Sequence, residues 1–420
     1  MKLNTCPSIL NRTTSVLQLG IVLLLLHSWG TPAASTGSES KQPSGRYRIN
    51  RMPLVFQSDR PARSLSDKDL IEIATRYRAV SDAKTLFTSK QMARLREINP
   101  DIKILRYLNF ATVYWDKAIR RVSKEHPDWI LRDKQGKPVP SRFSGTGMMI
   151  NPASEDWRDY LAQQAYKVLH EKGYDGIMAD EVMMAGRLPR DFEGINPQTG
   201  EPYTSEQYRG NQYKTVRAVK DRIGPDKLLI ANNVKRGSGY FQEKAYRFLE
   251  ACDGVVAEGF RGLAEWPLDR YLDEREWVDN IEMLLDIQTR GKIIIAAVKF
   301  RTQAIGSESQ LQQYDLFMYT TFLMGMGESS YYSSTASDPT GSPDHLRLHY
   351  DYREIDLGKP LSRYQKSGSH YEREFEEGRV IVNPTESPAT VYLGGDFRTL
   401  EGETVSEVTL DAHTGTILLK

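Results

Sequence analysis

Cysteine and histidine are scarce in this chain of 420 residues, which has two cysteines and seven histidines. Cys6 lies in an N-terminal segment interpreted below as a removable leader, so Cys252 would remain alone and no internal disulfide could form. This excludes a small scaffold held by several disulfides and fits a bacterial exported enzyme with a large core. Because the histidines are scattered without metal-ligand spacing, we expect neither a metal site nor a cofactor.

Two familiar motifs are also missing. The chain contains no Gly-x-Ser-x-Gly sequence, which argues against a hydrolase with a serine nucleophile elbow. Residues 57–60, directly after the first predicted strand, do not form a glycine-rich phosphate loop. An open, doubly wound sheet would normally carry such a loop at this point, so this fold is the less favoured alternative.

The chain carries almost no net charge. Its formal charge is +1 at pH 7, and subtraction of Lys2 and Arg12, which belong to the leader, gives about −1 for the remainder. A near-neutral protein is poorly suited to bind nucleic acid or an anionic membrane surface through long-range electrostatics. We therefore expect neither of these as the main partner, and we predict a monomer.

Long apolar runs are absent except for residues 20–26. This run follows a weakly basic start and precedes the small residues 31–35, which is the layout of a secretory signal peptide, and it is too short for a comfortable membrane span. We predict a signal peptide over residues 1–34, a flexible linker over residues 35–50, and a secreted or periplasmic protein without membrane contact after cleavage. An uncleaved anchor is the alternative.

Strand-like apolar runs alternate with helix-length amphipathic segments through most of the chain. Eight parallel strands separated by helices close a barrel, so the pattern predicts an α/β fold, a (β/α)8 TIM barrel over residues 51–350. The predicted strands are residues 52–57, 79–83, 102–110, a run that ends at Asp180, 227–232, 254–258, 292–299 and 329–333.

The pattern changes after about residue 352. Short, alternating, β-branched runs are separated by turn signals such as Glu377-Gly378 and Thr414-Gly415. This pattern is typical of antiparallel strands. We predict a small C-terminal antiparallel β-sandwich domain over residues 351–420.

Carboxylates follow the fourth and sixth predicted strands. The fourth ends in Asp180 and Glu181, and the sixth ends in Glu258. Strand ends at the carboxyl face of such a barrel are where catalytic groups lie, so these three are the catalytic candidates. Because side chains alternate along a strand, only one of the adjacent pair should face the barrel axis, and we choose Asp180. The alternatives are that Asp180 or Glu181 caps a loop or pairs with Arg187, and that Glu258 is a solvated loop residue.

Polar and aromatic residues accumulate at the other predicted strand ends. Each alone is a weak signal, since an asparagine there is more often a turn residue. Trp115, with Tyr114 and Trp129 in the same loop, could stack on sugar rings, although core packing explains such residues equally well. The substrate-binding candidates are Tyr107, Asn109, Trp115, Asn232, Asn233, Lys299 and Tyr332.

Four segments of the chain together resemble the glycoside hydrolases of hypothetical family 15. They are residues 100–105 followed by Tyr107, residues 126–129, residues 174–176 with the Asp180-Glu181 ending, and residues 383–385 in the tail. The resemblance extends from about residue 51 to the C-terminus.

A more distant similarity is to the endo-α-1,4-galactosaminidases of glycoside hydrolase family 114, whose catalytic pair is a fourth-strand aspartate and a sixth-strand glutamate. Asp180 and Glu258 match those positions. Glu181 departs from the pattern and leaves the role of each acid open.

The resemblance implies a barrel glycosidase. Together with the predicted leader, it leads us to expect a secreted glycoside hydrolase that cleaves O-glycosidic bonds of an extracellular polysaccharide with two carboxylates. Asp180 would be the nucleophile or base and Glu258 the acid, with Glu181 as the alternate for either. The alternatives are a carbohydrate-binding barrel protein of the cell envelope that lacks catalysis, and a structural envelope protein if the leader is retained. The sugar, the linkage, endo or exo action and the stereochemical outcome stay open.

Overall fold

The computed structural model describes residues 65–82, 87–114, 116–141, 147–182, 188, 192–300, 307–336 and 350–420. The predicted leader and linker, and the first predicted strand at residues 52–57, lie outside the described residues.

The helices, in chain order, are α1 (Asp67–Arg76), α2 (Ser89–Ile98), α3 (Asp116–Glu125), α4 (Glu155–Lys172), α5 (Ser205–Ile223), α6 (Gly237–Gln242), α7 (Glu274–Thr289) and α8 (Glu308–Gly325). The strands are β1 (Ala79–Ser81), β2 (Lys103–Asn109), β3 (Thr112–Val113), β4 (Met148–Met149), β5 (Gly176–Asp180), β6 (Ile195–Asn196), β7 (Glu201–Pro202), β8 (Leu228–Val234), β9 (Gly254–Ala257), β10 (Ile293–Phe300), β11 (Ser330–Ala336), β12 (Gln365–Ser367), β13 (His370–Phe375), β14 (Gly378–Asn383), β15 (Ala389–Arg398), β16 (Thr404–Leu410) and β17 (Thr414–Leu419).

Seven strands form one parallel sheet in the order β1-β2-β5-β8-β9-β10-β11. Each strand therefore pairs with the next strand that the repeating β-then-α pattern supplies, as right-handed crossovers require. These strands are seven of the eight predicted ones, and the fold is the predicted (β/α)8 barrel. The short hairpins β3–β4 and β6–β7 lie in the connections that follow β2 and β5.

The barrel strands are buried on both faces, which explains their nearly continuous apolar sequences. One face forms the barrel interior, where buried side chains of β1, β2, β5, β8, β9 and β10 form a compact cluster. The other face packs against the helices, as Ala179 of β5 and Ala257 of β9 do. The interior cluster consists of Ala79, Leu105, Met178, Ile230, Val256, Ile295 and Ala297.

Helix starts are defined by side chains that satisfy otherwise unpaired backbone N–H groups. Ser66, Thr88, Thr204 and Ser307 each form a capping box at the start of α1, α2, α5 and α8. Helix α4 ends at Gly173, whose φ of 79° is the left-handed conformation that glycine adopts most easily. The chain then enters β5, so the cap directs the strand that carries Asp180.

The C-terminal strands form an antiparallel sheet in the order β12-β13-β14-β17-β15-β16. The β15–β16 hairpin is joined to β17 by the pair Arg398 and Leu419. Side chains of the four neighbouring strands β14, β17, β15 and β16 share one apolar cluster, so this is the predicted C-terminal antiparallel β domain, built on a single six-stranded sheet. The cluster consists of Ile381, Val391, Leu393, Leu410 and Leu418.

Helix α8 lies between the barrel and this C-terminal sheet, and it is buried around most of its circumference. A helix that is apolar on nearly all sides needs cover on nearly all sides. Strand β17 approaches it so closely that a Cβ atom on Gly415 would lie 2.0 Å from Thr320 Oγ1. Arg373 of β13 donates hydrogen bonds to the carbonyls of Leu323, Met324 and Met326 at the helix end. The sheet therefore both covers and caps α8.

Candidate active site

The carboxyl ends of neighbouring barrel strands bring several predicted site residues to one mouth. Alternation along the strands assigns them a face, because residues two positions beyond an interior residue also point inward. Met178 is interior, so Asp180 faces the axis, and the same reasoning from Val256 directs Glu258 inward. Tyr107, Asn109, Asn232 and Lys299 follow interior residues of β2, β8 and β10 in the same way.

Asp180 is held by three hydrogen-bond donors. The Tyr107 hydroxyl donates to Oδ2 at 2.5 Å, the Asn232 amide donates to Oδ1 at 2.7 Å, and the Glu181 backbone N–H donates to Oδ1 at 2.8 Å. Burial, together with the charge of Asp180, raises the pKa of Tyr107 well above its usual value, so this phenol remains a donor. Among the described residues, none of the donors to Asp180 is a cation.

Glu181 adopts a left-handed backbone conformation, with φ of 55°. Such a conformation is uncommon for a residue other than glycine and is often found at functional sites. It interrupts the strand alternation and directs the side chain to the loop after β2, where Glu181 accepts hydrogen bonds from the hydroxyls of Thr112 and Tyr114. As predicted, the two adjacent acids do not point the same way.

The environment of Glu181 favours its protonated form. Burial is the main cause and raises the pKa of this carboxyl above its ordinary value, and the nearby charge of Asp180 acts in the same direction. The hydrogen bonds from Thr112 and Tyr114 oppose this effect without reversing it. Burial also raises the pKa of Tyr114 to about 12, so its hydroxyl donates rather than ionises. Glu181 therefore keeps a proton at higher pH than a solvated glutamic acid would.

Glu258 has a different partner. Its Oε1 lies 2.5 Å from Lys299 Nζ, and the two side chains are 35% and 30% exposed. Glu258 directly follows β9, and Lys299 belongs to the adjacent strand β10. Two predicted site residues are thus in direct contact with each other at the mouth.

A β-bulge lies beside Asp180. Asn232 pairs with Val256 and Val234 pairs with Ala257, so Asn233 is an extra residue between them. Bulges of this kind occur next to active sites because they redirect a side chain. Asn233 Oδ1 is buried and has no hydrogen-bond donor among the described residues.

Asn109, at the end of β2, has an unpaired hydrogen-bond donor, whereas Asn233 has an unpaired acceptor. Its Oδ1 accepts hydrogen bonds from the backbone N–H groups of Ala111 and Thr112, which shapes the following turn. Its Nδ2 is buried and has no acceptor within the part of the chain that the structure describes. Buried polar atoms are nearly always paired, so an unpaired donor and an unpaired acceptor beside this mouth are suited to bind a ligand.

The prediction for Tyr332 is wrong. This side chain is 1% exposed, lies on the outer face of the barrel, and donates a hydrogen bond to Asp315 of α8 at 3.1 Å. Tyr331 is the interior residue of the pair. Because β11 is largely buried on both faces and carries similar residues on each, alternation could not decide from sequence which of the two tyrosines faces the axis.

The aromatic candidates of the loop after β2 have separate outcomes. Trp115 lies outside the described residues. Trp129 is buried and stacks on His126 with ring centroids 3.9 Å apart, so it packs the loop and offers no open face to a sugar. Tyr114 binds Glu181. The sequence interpretation missed the contact of Thr112 with Glu181, because it depends on the left-handed backbone that no residue pattern indicated.

The described residues contain neither a cluster of metal-ligand side chains nor a helix suited to span a membrane. No group of three or more histidine, cysteine, aspartate or glutamate side chains in these segments lies suitably close to hold a metal ion. No helix between residues 65 and 420, in the described parts, combines the length and apolar character of a membrane span.

The family model of hypothetical glycosyl hydrolase family 15 matches residues 96–379, which include Tyr107, Asp180, Glu181, Asn232 and Glu258. The chain belongs to this family. It is therefore a glycoside hydrolase, and its substrate is a carbohydrate. The more distant similarity to glycoside hydrolase family 114 is not confirmed. No curated protein matches the sequence significantly.

Solved structures of glycoside hydrolases share the fold at low sequence identity. The maltogenic α-amylase AmyB from Thermotoga neapolitana has a TM-score of 0.53 and 13% identity, with 88% of this chain and 98% of AmyB covered. The α-amylase GTA from Geobacillus thermoleovorans has a TM-score of 0.52 and 13% identity, with 88% and 95% covered. An α-amylase from Lactobacillus plantarum has a TM-score of 0.50 and 10% identity, with 89% and 98% covered. At these identities the likeness concerns the fold.

Proposed function

We propose that this glycoside hydrolase cleaves O-glycosidic bonds of an extracellular polysaccharide by a two-carboxylate mechanism in which Asp180 is one of the two acids. The observation that carries the proposal is the setting of Asp180, which faces the barrel mouth with both oxygens oriented by neutral donors. A carboxylate held in this way is ready to attack an anomeric carbon or to activate a water molecule.

Glu258 is the first candidate for the acid that protonates the departing oxygen. It directly follows β9, which is two strands from β5 in the sheet. Adjacent strands lie about 4.8 Å apart, so about 9.6 Å separates the two strand axes. Side chains that extend inward from both strands can therefore flank one glycosidic bond. A carboxyl separation of about 5 to 5.5 Å would give retention, and about 6.5 to 9.5 Å would give inversion.

Glu181 is the alternate acid. Its raised pKa suits a group that must hold a proton near neutral pH before it donates one. The contact between Glu258 and Lys299 also gives this alternative weight, because one oxygen of Glu258 is already bound to the Lys299 ammonium group. If Glu181 is the acid, Glu258 and Lys299 orient the sugar, and Asp180 still acts as the nucleophile or as the base that activates water.

The substrate-binding part of the proposal rests on unsatisfied polar atoms. Asn109 Nδ2 would donate to a sugar hydroxyl, and Asn233 Oδ1 would accept from one. A substrate that lacks either hydroxyl would leave a buried polar atom unpaired, which gives such sites their selectivity. The extracellular polysaccharide follows from the predicted leader, as do secretion and loss of residues 1–34.

The decisive experiment is a hydrolysis screen of the purified mature protein against bacterial and fungal exopolysaccharides, with reducing-end release as the readout. The variants are Asp180→Asn, Glu258→Gln and Glu181→Gln, with Glu206→Gln on the exposed face of α5 as the control. Loss of activity in Asp180→Asn and in one glutamate variant, with Glu206→Gln active, would support the proposal and identify the acid. Near-normal turnover of Asp180→Asn would refute it.

A further inference from the structure

Arg261 is a fully buried cation in the loop that carries Glu258. It is 0% exposed, lies three residues after Glu258, and forms no ion pair with any described residue. Burial lowers its pKa, although an arginine keeps its proton under all ordinary conditions. A buried charge without a counter-ion is costly, so other contacts must stabilise it.

The two terminal nitrogens of the guanidinium donate to backbone carbonyls, whereas Nε has no acceptor among the described residues. Within its own loop, Nη1 donates to the carbonyls of Leu263 at 3.1 Å and Ala264 at 3.4 Å, and Nη2 donates to those of Trp266 at 3.1 Å and Pro267 at 3.3 Å. Nη1 also lies 3.4 Å from the carbonyl oxygen of Lys299 at the end of β10. One side chain therefore joins the loop after β9 to the neighbouring strand.

Aromatic rings complete the environment of Arg261. Its Cζ lies 4.7 Å from the ring centroid of Phe300 and 4.5 Å from that of Tyr314, both of which favour a cation. Tyr271 stacks on Tyr314 with centroids 4.6 Å apart, and His413 of the C-terminal sheet stacks on Tyr271 at 4.2 Å. The C-terminal sheet therefore supports the loop through this column of rings.

The beginning of the same loop is fixed independently. The Gly259 N–H donates to the Lys235 carbonyl at 2.7 Å, and the Asn280 amide donates to the Phe260 carbonyl at 2.7 Å. Gly262 has a φ of 109°, and a Cβ atom there would lie 2.2 Å from Trp266. The start of the loop thus has contacts of its own, whereas the carbonyls of residues 263–267 and of Lys299 share Arg261 as a donor. Replacement of Arg261 therefore releases the connection between this loop and the end of β10.

We propose that Arg261 is a positioning residue that fixes the Glu258–Lys299 pair by binding the two backbone segments that carry it. The inference rests on the proposed function, since it gives that pair a role in substrate turnover. Misplacement of a reacting or orienting group by about 1 Å can cost on the order of a hundredfold in rate.

The test compares Arg261→Met and Arg261→Lys with Arg373→Met. Arg373 is a matched control because it is also buried and also donates to backbone carbonyls, three at the end of α8 and that of Ser362. Each variant is measured for thermal unfolding, for kcat and KM on a polysaccharide that the wild type cleaves, and for the pH dependence of kcat/KM. Crystal structures report the distance between Glu258 Oε1 and Lys299 Nζ.

For Arg261→Met we expect kcat to fall by about ten- to a hundredfold with a displaced limb of the pH profile. Arg261→Lys should recover part of the loss, because an ammonium restores the charge but cannot reach all five carbonyls. Arg373→Met should unfold at lower temperature and keep the wild-type pH profile. An Arg261→Met protein with wild-type kcat, pH profile and Glu258–Lys299 distance would overturn the proposal.

The experiment also distinguishes failure of Arg261→Met to fold from failure of the proposed catalytic role of Glu258. If Arg261→Met does not fold, Arg261→Lys decides by the same measurements, and an unchanged kcat and pH profile there refutes the proposal. If Glu258→Gln retains full activity, the catalytic role of Glu258 fails. The positional claim is then decided by the crystal structure of the Arg261 variant alone.

Discussion

The carboxylates of two regions, the barrel mouth and the contact between α8 and β11, are bound by similar donors but differ in charge compensation. Asp315 of α8 is 0% exposed and pairs with Arg353, which is 5% exposed. It also accepts hydrogen bonds from Ser334 at 2.6 Å and Tyr352 at 2.6 Å. Asp180 at the mouth likewise accepts a tyrosine hydroxyl, yet none of its described donors is charged.

Asp82 extends the comparison, because it too follows a barrel strand. It is buried after β1, and it accepts hydrogen bonds from Arg106 at 2.9 Å and from the Tyr174 hydroxyl at 2.5 Å. Burial nevertheless raises the pKa of Asp82. The two buried carboxylates that have an arginine partner, Asp82 and Asp315, thus lie in contacts within the fold, whereas Asp180, whose described donors are neutral, faces the barrel mouth.

The largest expected effect is loss of turnover in Asp180→Asn. This change removes a group needed in the transition state, so kcat should fall by about a thousandfold or more. The thermal unfolding temperature should stay close to that of the wild type, because no ion pair is broken. Both quantities are measured on one preparation, and a stable, active variant would remove Asp180 from the mechanism.

The converse is expected of Asp315→Asn. Removal of one partner from a buried ion pair costs about 3 to 5 kcal/mol, and Asp315→Asn breaks the buried pair with Arg353. Denaturant unfolding should show this loss of stability, while kcat per folded molecule stays at the wild-type level. Unchanged stability would mean that the Asp315–Arg353 pair contributes nothing net to the fold.

Tyr107 and Tyr332 allow the two regions to be compared by removal of one hydroxyl group in each, since Tyr107 donates to Asp180 and Tyr332 donates to Asp315. Tyr107→Phe removes a donor to Asp180, and a hydrogen bond to a charged group is worth about 1.5 to 3 kcal/mol, so kcat should fall by about ten- to a hundredfold. Tyr332→Phe removes a donor to Asp315 and should lower only stability, by about 0.5 to 3 kcal/mol. Equal effects of the two variants on kcat would contradict the division between the two regions.

The smallest expected effect concerns pH and Glu181. Its folded-state pKa is raised above the unfolded value of about 4.3, so the folded protein binds more protons between the two. This contribution to stability is complete below the unfolded pKa and is lost as pH rises through the folded pKa. Glu181→Gln should remove that part of the pH dependence, measured as free energy of unfolding from pH 4 to 8. Glu206→Gln should retain it, and an identical slope in all three proteins would refute the assignment.

Most of the barrel strands could be predicted because their burial is recorded in the short stretch of sequence that forms each strand. Strands buried on both faces give continuous apolar runs such as residues 292–299, and the observed strand is Ile293–Phe300. The adjacency of the sixth and seventh strands also follows from order, so contact between Glu258 and Lys299 was within reach of sequence reasoning. The C-terminal sheet was predicted from its turns for the same local reason.

The parts of the site that sequence could not supply depend on irregular backbone. The left-handed φ of Glu181 and the bulge at Asn233 each arise where tertiary contacts override the regular strand. Tyr332 was misassigned because one residue of shift exchanges the two faces of a strand. Periodicity describes the regular part of a strand, whereas the chemistry of this mouth begins where the regularity ends.

The placement of α8 has a consequence for the order in which the protein can be made. The helix is synthesised before the strands that cover it, and β17, which approaches it most closely at Gly415, follows last among them. Until β13 has emerged, the carbonyls at the end of α8 lack Arg373, and until β17 has emerged, the surface of α8 around Thr320 lacks its cover. Domains that fold during synthesis do so from the N-terminus. Here the barrel remains unfinished until the β strands downstream of it have left the ribosome.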